Sequence, residues 1–261
     1  MDYKRFTTPS QRLFYAVLLE RTIDSDAAST LMDVAAVSLA YGAVHLYAPY
    51  QRTDMARNGF VKSFLREAKN ESDVLVMMDC DHIFPRDVVV RLASQVDAEH
   101  EVIGALAFRR SKPYDPVCYR LGENGEADIP TKFSGGLEAC DIMGTGTIAI
   151  RRSVFTKLDA AGSRWPYFRY TYREDSDTQR SEDWDWGLSC RDAGIKHWCD
   201  TGVVIPHITK KLISVDDWFA TLKQAYEQPD SLDPVVARLG LRFSFGGNGN
   251  GTDKQHAEAV A

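Results

Sequence analysis

The run Val74-Leu75-Val76-Met77-Met78 leads into Asp79-Cys80-Asp81, two carboxylates spaced i, i+2 behind five apolar residues. Five apolar residues in succession predict a strand buried on both faces. Side chains alternate along a strand, so Asp79 and Asp81 are expected to point the same way at its C-terminal edge. Open α/β sheets bind ligands at that edge. Two carboxylates there repel each other unless a positive charge lies between them, and a hard divalent cation meets that need.

Other residues of the same chemical character recur around this pair. Ala56-Arg57-Asn58 opens the helix expected before the strand, and Asp141-Ile142-Met143-Gly144-Thr145-Gly146 precedes a short apolar strand and Arg151-Arg152. Ser181-Glu182-Asp183 stands at an expected helix start, and Asp200-Thr201-Gly202 is followed by His207. A carboxylate at a helix N-terminus stays ionised with help from the helix dipole, which suits Asp183 to accept a proton.

The elements that position these residues follow from periodicity. Residues 13–19, 43–48, 74–78 and 102–108 predict strands; residues 25–39, 54–69 and 85–96 predict helices, with Ser25 or Asp26, Thr53 and Pro85 near their starts. This β-α-β-α-β-α-β order implies an α/β fold, a mainly parallel sheet flanked by helices. The second half changes character. Residues 113–121 and 132–142 predict shorter strands, a small antiparallel sheet, and 148–150, 196–199 and 203–205 predict further strands. Helices are expected at 152–161, at 182–193 with Gly194 as a left-handed cap, and at 215–228. Residues 245–261 read as a flexible tail. One domain is therefore expected over 1–244, with a nucleotide-binding half at about 1–110 and an acceptor half at about 111–244.

In this order and spacing the four features resemble a GT-A glycosyltransferase, with a Rossmann-like fold, of the family-two-like type found in bacterial and phage genomes. The resemblance covers roughly residues 13–209. It implies roles residue by residue. Asp79 would sit near the donor ribose or hold the metal through water, and Asp81 would ligate Mn²⁺ or Mg²⁺. His207 would complete the metal shell. Asp183, in the Glu182-Asp183 pair, matches the catalytic base of inverting members. Arg57 and Asn58 match residues lining the nucleotide-sugar pocket, and Gly144 and Gly146 match the small residues beneath the sugar. One departure is plain: Glu20-Arg21-Thr22 follows the first strand where the family has Pro-x-Tyr-Asn. The implied donor is a nucleotide sugar, a UDP-sugar being favoured. The acceptor would be a saccharide, a lipid-linked intermediate, a protein or modified DNA.

The same chemistry can be built without the family. A nucleoside diphosphate gains negative charge as the glycosidic bond breaks, and a divalent cation on its phosphates stabilises that charge. Oxygen ligands suit Mg²⁺ or Mn²⁺, and an imidazole shifts the preference toward Mn²⁺. The acceptor hydroxyl needs a base within reach, and a carboxylate on the opposite face of the sugar gives inversion.

Plainer readings stand beside these. Glu182-Asp183 also reads as an acidic first turn, and Asp185 competes for the base role. Arg57-Asn58 also reads as an amphipathic helix start, and Gly144 and Gly146 as a tight turn or bulge. Trp165 or Tyr170 is a candidate to stack on a sugar or base, residues 174–180 read as a mobile loop, and of Trp184 and Trp186 one is expected to be buried. Cys80, His82, Cys190, His197 and Cys199 fit no structural zinc spacing. A haloacid-dehalogenase-like phosphatase also places D-x-D after an apolar strand, but on its first strand. Here two strands precede it, and the late Gly-Asp-x-x-x-Asp is absent. A nucleotidylyltransferase would carry a Gly-rich N-terminal signature, which is missing. A non-catalytic nucleotide-sugar-binding protein is the remaining alternative.

Composition narrows the classes further. The 261 residues are 44% hydrophobic and 26% charged, with a net charge of −6. No global positive field favours nucleic acid or anionic membrane. No apolar run reaches the roughly 20 residues of a membrane span, and 13–19 reads as a strand rather than a signal peptide. The five cysteines contain no C-x-x-C pair, which points to reduced thiols and a cytoplasmic protein.

Overall fold

Short, nearly continuous apolar runs form the middle of a seven-stranded sheet in a computed structural model, which describes residues 3, 5–6, 10–48, 50–110, 114–122, 126–130, 132–172 and 179–209. The strands of the first half are β1 (Leu13–Leu18), β2 (Val44–Leu46), β3 (Val74–Asp79) and β4 (Val102–Leu106). Helices α1 (Ser25–Ala40), α2 (Thr53–Glu67) and α3 (Val88–Gln95) connect them. The second half adds β5 (Cys118–Leu121), β6 (Ala127–Asp128), β7 (Leu137–Cys140), β8 (Ile142–Met143), β9 (Thr147–Arg151), α4 (Ser153–Ala160), β10 (Thr171–Tyr172), β11 (Gln179–Arg180), α5 (Glu182–Asp192) and β12 (His197–Val204).

The strand order is β2-β1-β3-β9-β4-β12-β7. Strands β1, β2 and β3 pair in parallel, as do β4 and β12, whereas β9 runs antiparallel to both β3 and β4, and β7 antiparallel to β12. This is the expected mainly parallel sheet. The small antiparallel sheet of the second half is β6-β5-β8, and β10-β11 form a separate two-stranded pair.

Alternation along each strand sorts its side chains onto two buried faces. Phe14, Ala16, Leu75 and Met77 pack with Phe60 and Phe64 of α2, Phe155 of α4 and Trp186 of α5. Leu13, Tyr15, Val74, Val76 and Met78 pack with Val34 of α1 and Val88, Val89 and Leu92 of α3. Asp79 shares the parity of Leu75 and Met77, so it emerges toward α2 and α5.

Several element ends differ from the expectation. The cap of α1 is Asp24, whose carboxylate accepts from the Asp26 amide at 2.9 Å. Helix α2 starts at Thr53 itself; Arg52 precedes it without a side-chain cap bond and pairs instead with Asp54 in the first turn at 2.6 Å. Pro85 makes a turn ahead of α3, accepting from the Val88 amide at 3.0 Å, rather than sitting inside the helix. The two strands expected at 196–199 and 203–205 are one, β12, because Asp200-Thr201-Gly202 forms an irregularity within it rather than a break. Arg91 and Gln95 of α3 and the Gly202 amide all donate to the Asp200 carboxylate, which holds that irregularity in place. Gly194, with φ +72°, follows α5 as expected.

Tyr3 to Thr209 belong to one compact unit. The expected helix at 215–228, the tail at 245–261 and most of the loop at 174–180 lie outside the described residues. All five cysteines are buried free thiols. No helix among the described residues is long and apolar enough to cross a membrane.

Candidate active site

The C-terminal ends of β1 and β3 and the start of α2 enclose a cleft of about 470 Å³. Glu20, Arg21, Tyr50, Arg52, Asp79, Asp81 and Arg110 contribute its polar wall. The segment that departs from the resembled family, Glu20-Arg21-Thr22, therefore lines this cleft.

Asp79 and Asp81 have different surroundings. Strand β3 ends at Asp79, so alternation no longer governs Asp81. The Asp79 carboxylate accepts from Arg57 Nη2 at 2.8 Å. Arg57 is 1% exposed. Its Nη1 donates to the Thr145 carbonyl at 3.0 Å and its Nε to Glu182 Oε1 at 3.4 Å. One guanidinium thus ties together β3, the loop before β9 and the first residue of α5. Arg57 is a buried strut rather than a pocket wall, because all three of its nitrogens face protein acceptors. Asn58 is also fully used: its Nδ2 donates to the Asp54 and Phe168 carbonyls, and its Oδ1 accepts from the Tyr167 and Phe168 amides. It fastens 167–168 to α2 and has no hydrogen-bonding capacity left for a ligand.

Asp79 Oδ1 is held by Arg57, and the donor atoms that converge are instead those of Asp81, His82 and His207 rather than Asp79, Asp81 and His207. One donor atom from each lies within 4.8 Å of the others. Backbone pairing brings them together: the Ile83 amide donates to the Pro206 carbonyl at 3.0 Å and the Ile208 amide to the Asp81 carbonyl at 2.8 Å. These bonds flank an antiparallel bridge between His82 and His207, whose ring centroids are 3.7 Å apart. His207 Nδ1 is hydrogen-bonded to the Phe108 carbonyl, which leaves Nε2 as the ligand atom. Burial pushes the pKa of both histidines down to about 4, keeping each imidazole neutral, the form that binds metal.

Three atoms in this cluster test whether a cation fits. Asp81 Oδ1, His82 Nδ1 and His82 Nε2 are buried without hydrogen-bond partners. The Asp81 Oδ1 to His82 Nδ1 distance is 2.9 Å, but the pair is not aligned as a hydrogen bond. An unpaired buried polar atom costs about 1–3 kcal/mol. A cation here would satisfy these atoms, and two imidazoles with one carboxylate suit a transition ion such as Mn²⁺ better than Mg²⁺. Gly146 makes room for this arrangement: a Cβ there would stand 2.9 Å from His82 Cε1. A Cβ at Gly144 would instead meet Val117 Cγ1 at 2.9 Å, so that glycine serves packing against Val117.

Helix α5 starts beside the strut. Glu182 is buried against Arg57. Asp183 is set deep but keeps solvent access; Ser181 Oγ and the Trp184 amide donate to its Oδ1. Burial, and then the Glu182 charge, raise its pKa above the ordinary carboxylate value. A raised carboxylate pKa brings a base closer to the operating pH. Asp185 is committed elsewhere, accepting from Arg169 Nε at 3.0 Å and Thr171 Oγ1 at 3.1 Å. Trp186 is fully buried, while Trp184 is half-buried and packs on Tyr119 with centroids 5.4 Å apart. Trp165 is exposed, and Tyr170 lies under the Arg52 guanidinium at 5.4 Å.

Sequence reasoning missed two site residues. His82 stands next to the D-x-D, and its signal was that adjacency together with a glycine at 146. Arg110 pairs with Asp81 and carried no signal beyond its charge.

No family model matches the chain, and no curated protein matches it. Solved structures give distant likenesses. A197 from STIV is 14% identical, with 76% of this chain and 86% of that one covered, at a TM-score of 0.49. A Drosophila β-1,4-galactosyltransferase 7 mutant, in complex with manganese, UDP-Gal and xylobiose, is 12% identical, with 85% and 76% covered, at 0.42. The inositol-1-phosphate CTP transferase from T. maritima is 10% identical, with 83% and 97% covered, at 0.38. Likenesses this distant do not assign an activity.

Proposed function

We propose that this chain is a metal-dependent glycosyltransferase that moves a sugar from a nucleotide-sugar donor to an acceptor hydroxyl with inversion. The observation that carries the reading is the partly unpartnered Asp81–His82–His207 set, whose Asp81 lines a polar cleft. The cleft receives the donor, a UDP-sugar being favoured, with the nucleotide against the ends of β1 and β3. Asp81, His82 and His207 would hold Mn²⁺, or less favourably Mg²⁺. When bound, the ion supplies Lewis-acid stabilisation of the charge that develops on the departing diphosphate.

The chain's own residues do the rest. Arg57 holds Asp79 and Glu182 at fixed positions, so Asp79 faces the donor side without swinging toward the cation. Asp183 accepts the proton of the acceptor hydroxyl, and its raised pKa supports that role. Asp185 keeps its structural bonds and takes no part. A phosphatase using Asp79 as nucleophile is disfavoured, since its carboxylate is already held by a buried arginine.

The test is a panel of UDP-, GDP-, CMP- and dTDP-sugars with and without Mn²⁺. Donor hydrolysis or transfer that needs Mn²⁺ is expected, with inverted anomeric configuration in the product. Asp183→Asn should lower the transfer rate about 10²–10⁴-fold with donor and Mn²⁺ affinity near wild type. Binding of no nucleotide sugar under any condition, or a product of retained configuration, would overturn the reading.

A further inference from the structure

We infer that Arg110 is an exchangeable counter-cation: it neutralises Asp81 before metal loads, then transfers to the diphosphate of the donor. The inference rests on the metal-dependent donor reading above and gives that site a further donor-binding residue.

Two arginines serve the two carboxylates at the end of β3, and they are held in opposite ways. Arg57 is 1% exposed with three protein partners, so it has nowhere to go. Arg110 is 54% exposed and pairs with Asp81 Oδ2. The other Asp81 oxygen, Oδ1, is the buried atom left without a hydrogen bond beside His82. One carboxylate therefore presents one face to a solvent-exposed guanidinium and the other to an imidazole without hydrogen bonds.

The backbone beneath Arg110 is pinned. The Arg109 amide donates to the Asp115 carbonyl and the Val117 amide to the Ala107 carbonyl, each at 2.9 Å. The Phe108 carbonyl is the acceptor for His207 Nδ1. The Arg110 side chain thus springs from the end of the pinned 107–109 stretch that orients a metal ligand, while its tip, half in solvent, meets Asp81. A long side chain anchored this way can trade one anion for another without moving the main chain.

Charge decides the direction of the trade. A divalent cation on Asp81 competes with the guanidinium for the carboxylate lone pairs and repels it at close range. A nucleoside diphosphate entering the cleft that Arg110 lines brings phosphate oxygens, which a planar guanidinium binds in a bidentate manner. Arg110 then adds charge-assisted bonds to the group that becomes more negative as it leaves. Before loading, the same residue lowers the repulsion among unfilled acidic groups at the cleft mouth.

The two halves of the inference give effects of opposite sign, measured on the full chain. Mn²⁺ affinity is read by calorimetry without nucleotide. Affinity for UDP, GDP, CDP and dTDP is read at saturating Mn²⁺, and the tightest binder is carried forward. In Arg110→Gln, Mn²⁺ alone should bind about 2–5-fold more tightly, as an exposed ion pair is released. The nucleoside diphosphate should bind about 10-fold or more weakly, the loss of a charge-assisted contact. Arg110→Lys keeps the charge without the fork and should fall between wild type and Arg110→Gln for the nucleotide. A Gln variant with unchanged or weaker Mn²⁺ binding, or with unchanged nucleotide binding, overturns the inference while leaving the site reading intact. A wild-type protein that binds neither Mn²⁺ nor any of the four nucleotides overturns both.

Discussion

Arg57 Nη2 lies 2.8 Å from Asp79 Oδ1, and the same guanidinium faces Glu182, which is 125 residues further along the chain. A charge this deeply buried is tolerated because acceptors surround it on three sides. The pairing explains why the two carboxylates of the D-x-D diverge. One oxygen of Asp79 is tied to the buried guanidinium, and Asp81 joins the two histidines.

Arg57→Met is expected to destabilise the fold by about 3–5 kcal/mol, the cost of breaking a buried ion pair from one side. It strands Asp79 and Glu182 near one another without a counter-charge. Urea unfolding measures this, and adding Glu182→Gln should restore part of the loss. A single variant within about 1 kcal/mol of wild type, below the range for a broken buried pair, would show that Arg57 is no strut.

Gly146→Ala is expected to disturb the His82 ring, since the new methyl would stand 2.9 Å from Cε1 and 3.0 Å from Nε2. His82 is fully buried and cannot swing out of the way. Overpacking of this kind costs about 1–3 kcal/mol, and here it falls on a metal ligand. Mn²⁺ affinity should drop in Gly146→Ala and stay near wild type in Gly144→Ala, whose methyl meets Val117 instead. Equal Mn²⁺ affinities in the two variants would argue against His82 as a ligand.

His197 on β12 gives a pH dependence of stability. Its two ring nitrogens are buried without hydrogen bonds, and burial pushes its pKa down to about 4, with Asp141 opposing weakly. The unfolded value is about 6.5, so the unfolded chain binds the proton first as pH falls. His197 therefore costs nothing above pH 6.5 and becomes progressively destabilising down to pH 4, by about 2 kcal/mol at pH 5. His197→Leu should flatten the urea midpoint between pH 7 and pH 5 by that amount. Identical pH slopes for the two proteins would show that His197 is not the titrating group.

The sheet was legible where one physical signal dominated. Val74 to Met78 and Val102 to Leu106 are apolar enough that no reading other than a buried strand competes. β12 was misread as two strands because Asp-Thr-Gly carries turn chemistry. Bonds to Asp200 from Arg91, Gln95 and the Gly202 amide, and from Thr201 to the Gly136 carbonyl, hold the irregular stretch there. The site was legible as a list of residue types, but not as a set of partners. Asp81 and His207 could be picked out by type and position. His82 carried only its adjacency to the D-x-D until the backbone bridge set it against His207, and Arg57 is indistinguishable in sequence from a pocket-lining arginine until its burial is known. Local periodicity reports which face a side chain occupies, and long-range pairing decides what it meets there.

The position of β9 has a consequence for how the chain can be divided. Strand β9 lies between β3 and β4, which do not pair with each other. A fragment ending after Arg110 would retain the β2-β1-β3 ribbon, but β4 would have no hydrogen-bonded neighbour, since its partners β9 and β12 come later. The segment expected to form a nucleotide-binding half therefore lacks both pairing partners of its last strand. During synthesis β9 can join β3 to β4 only once residue 151 has been made, and the sheet is complete only with β12, which ends at Val204.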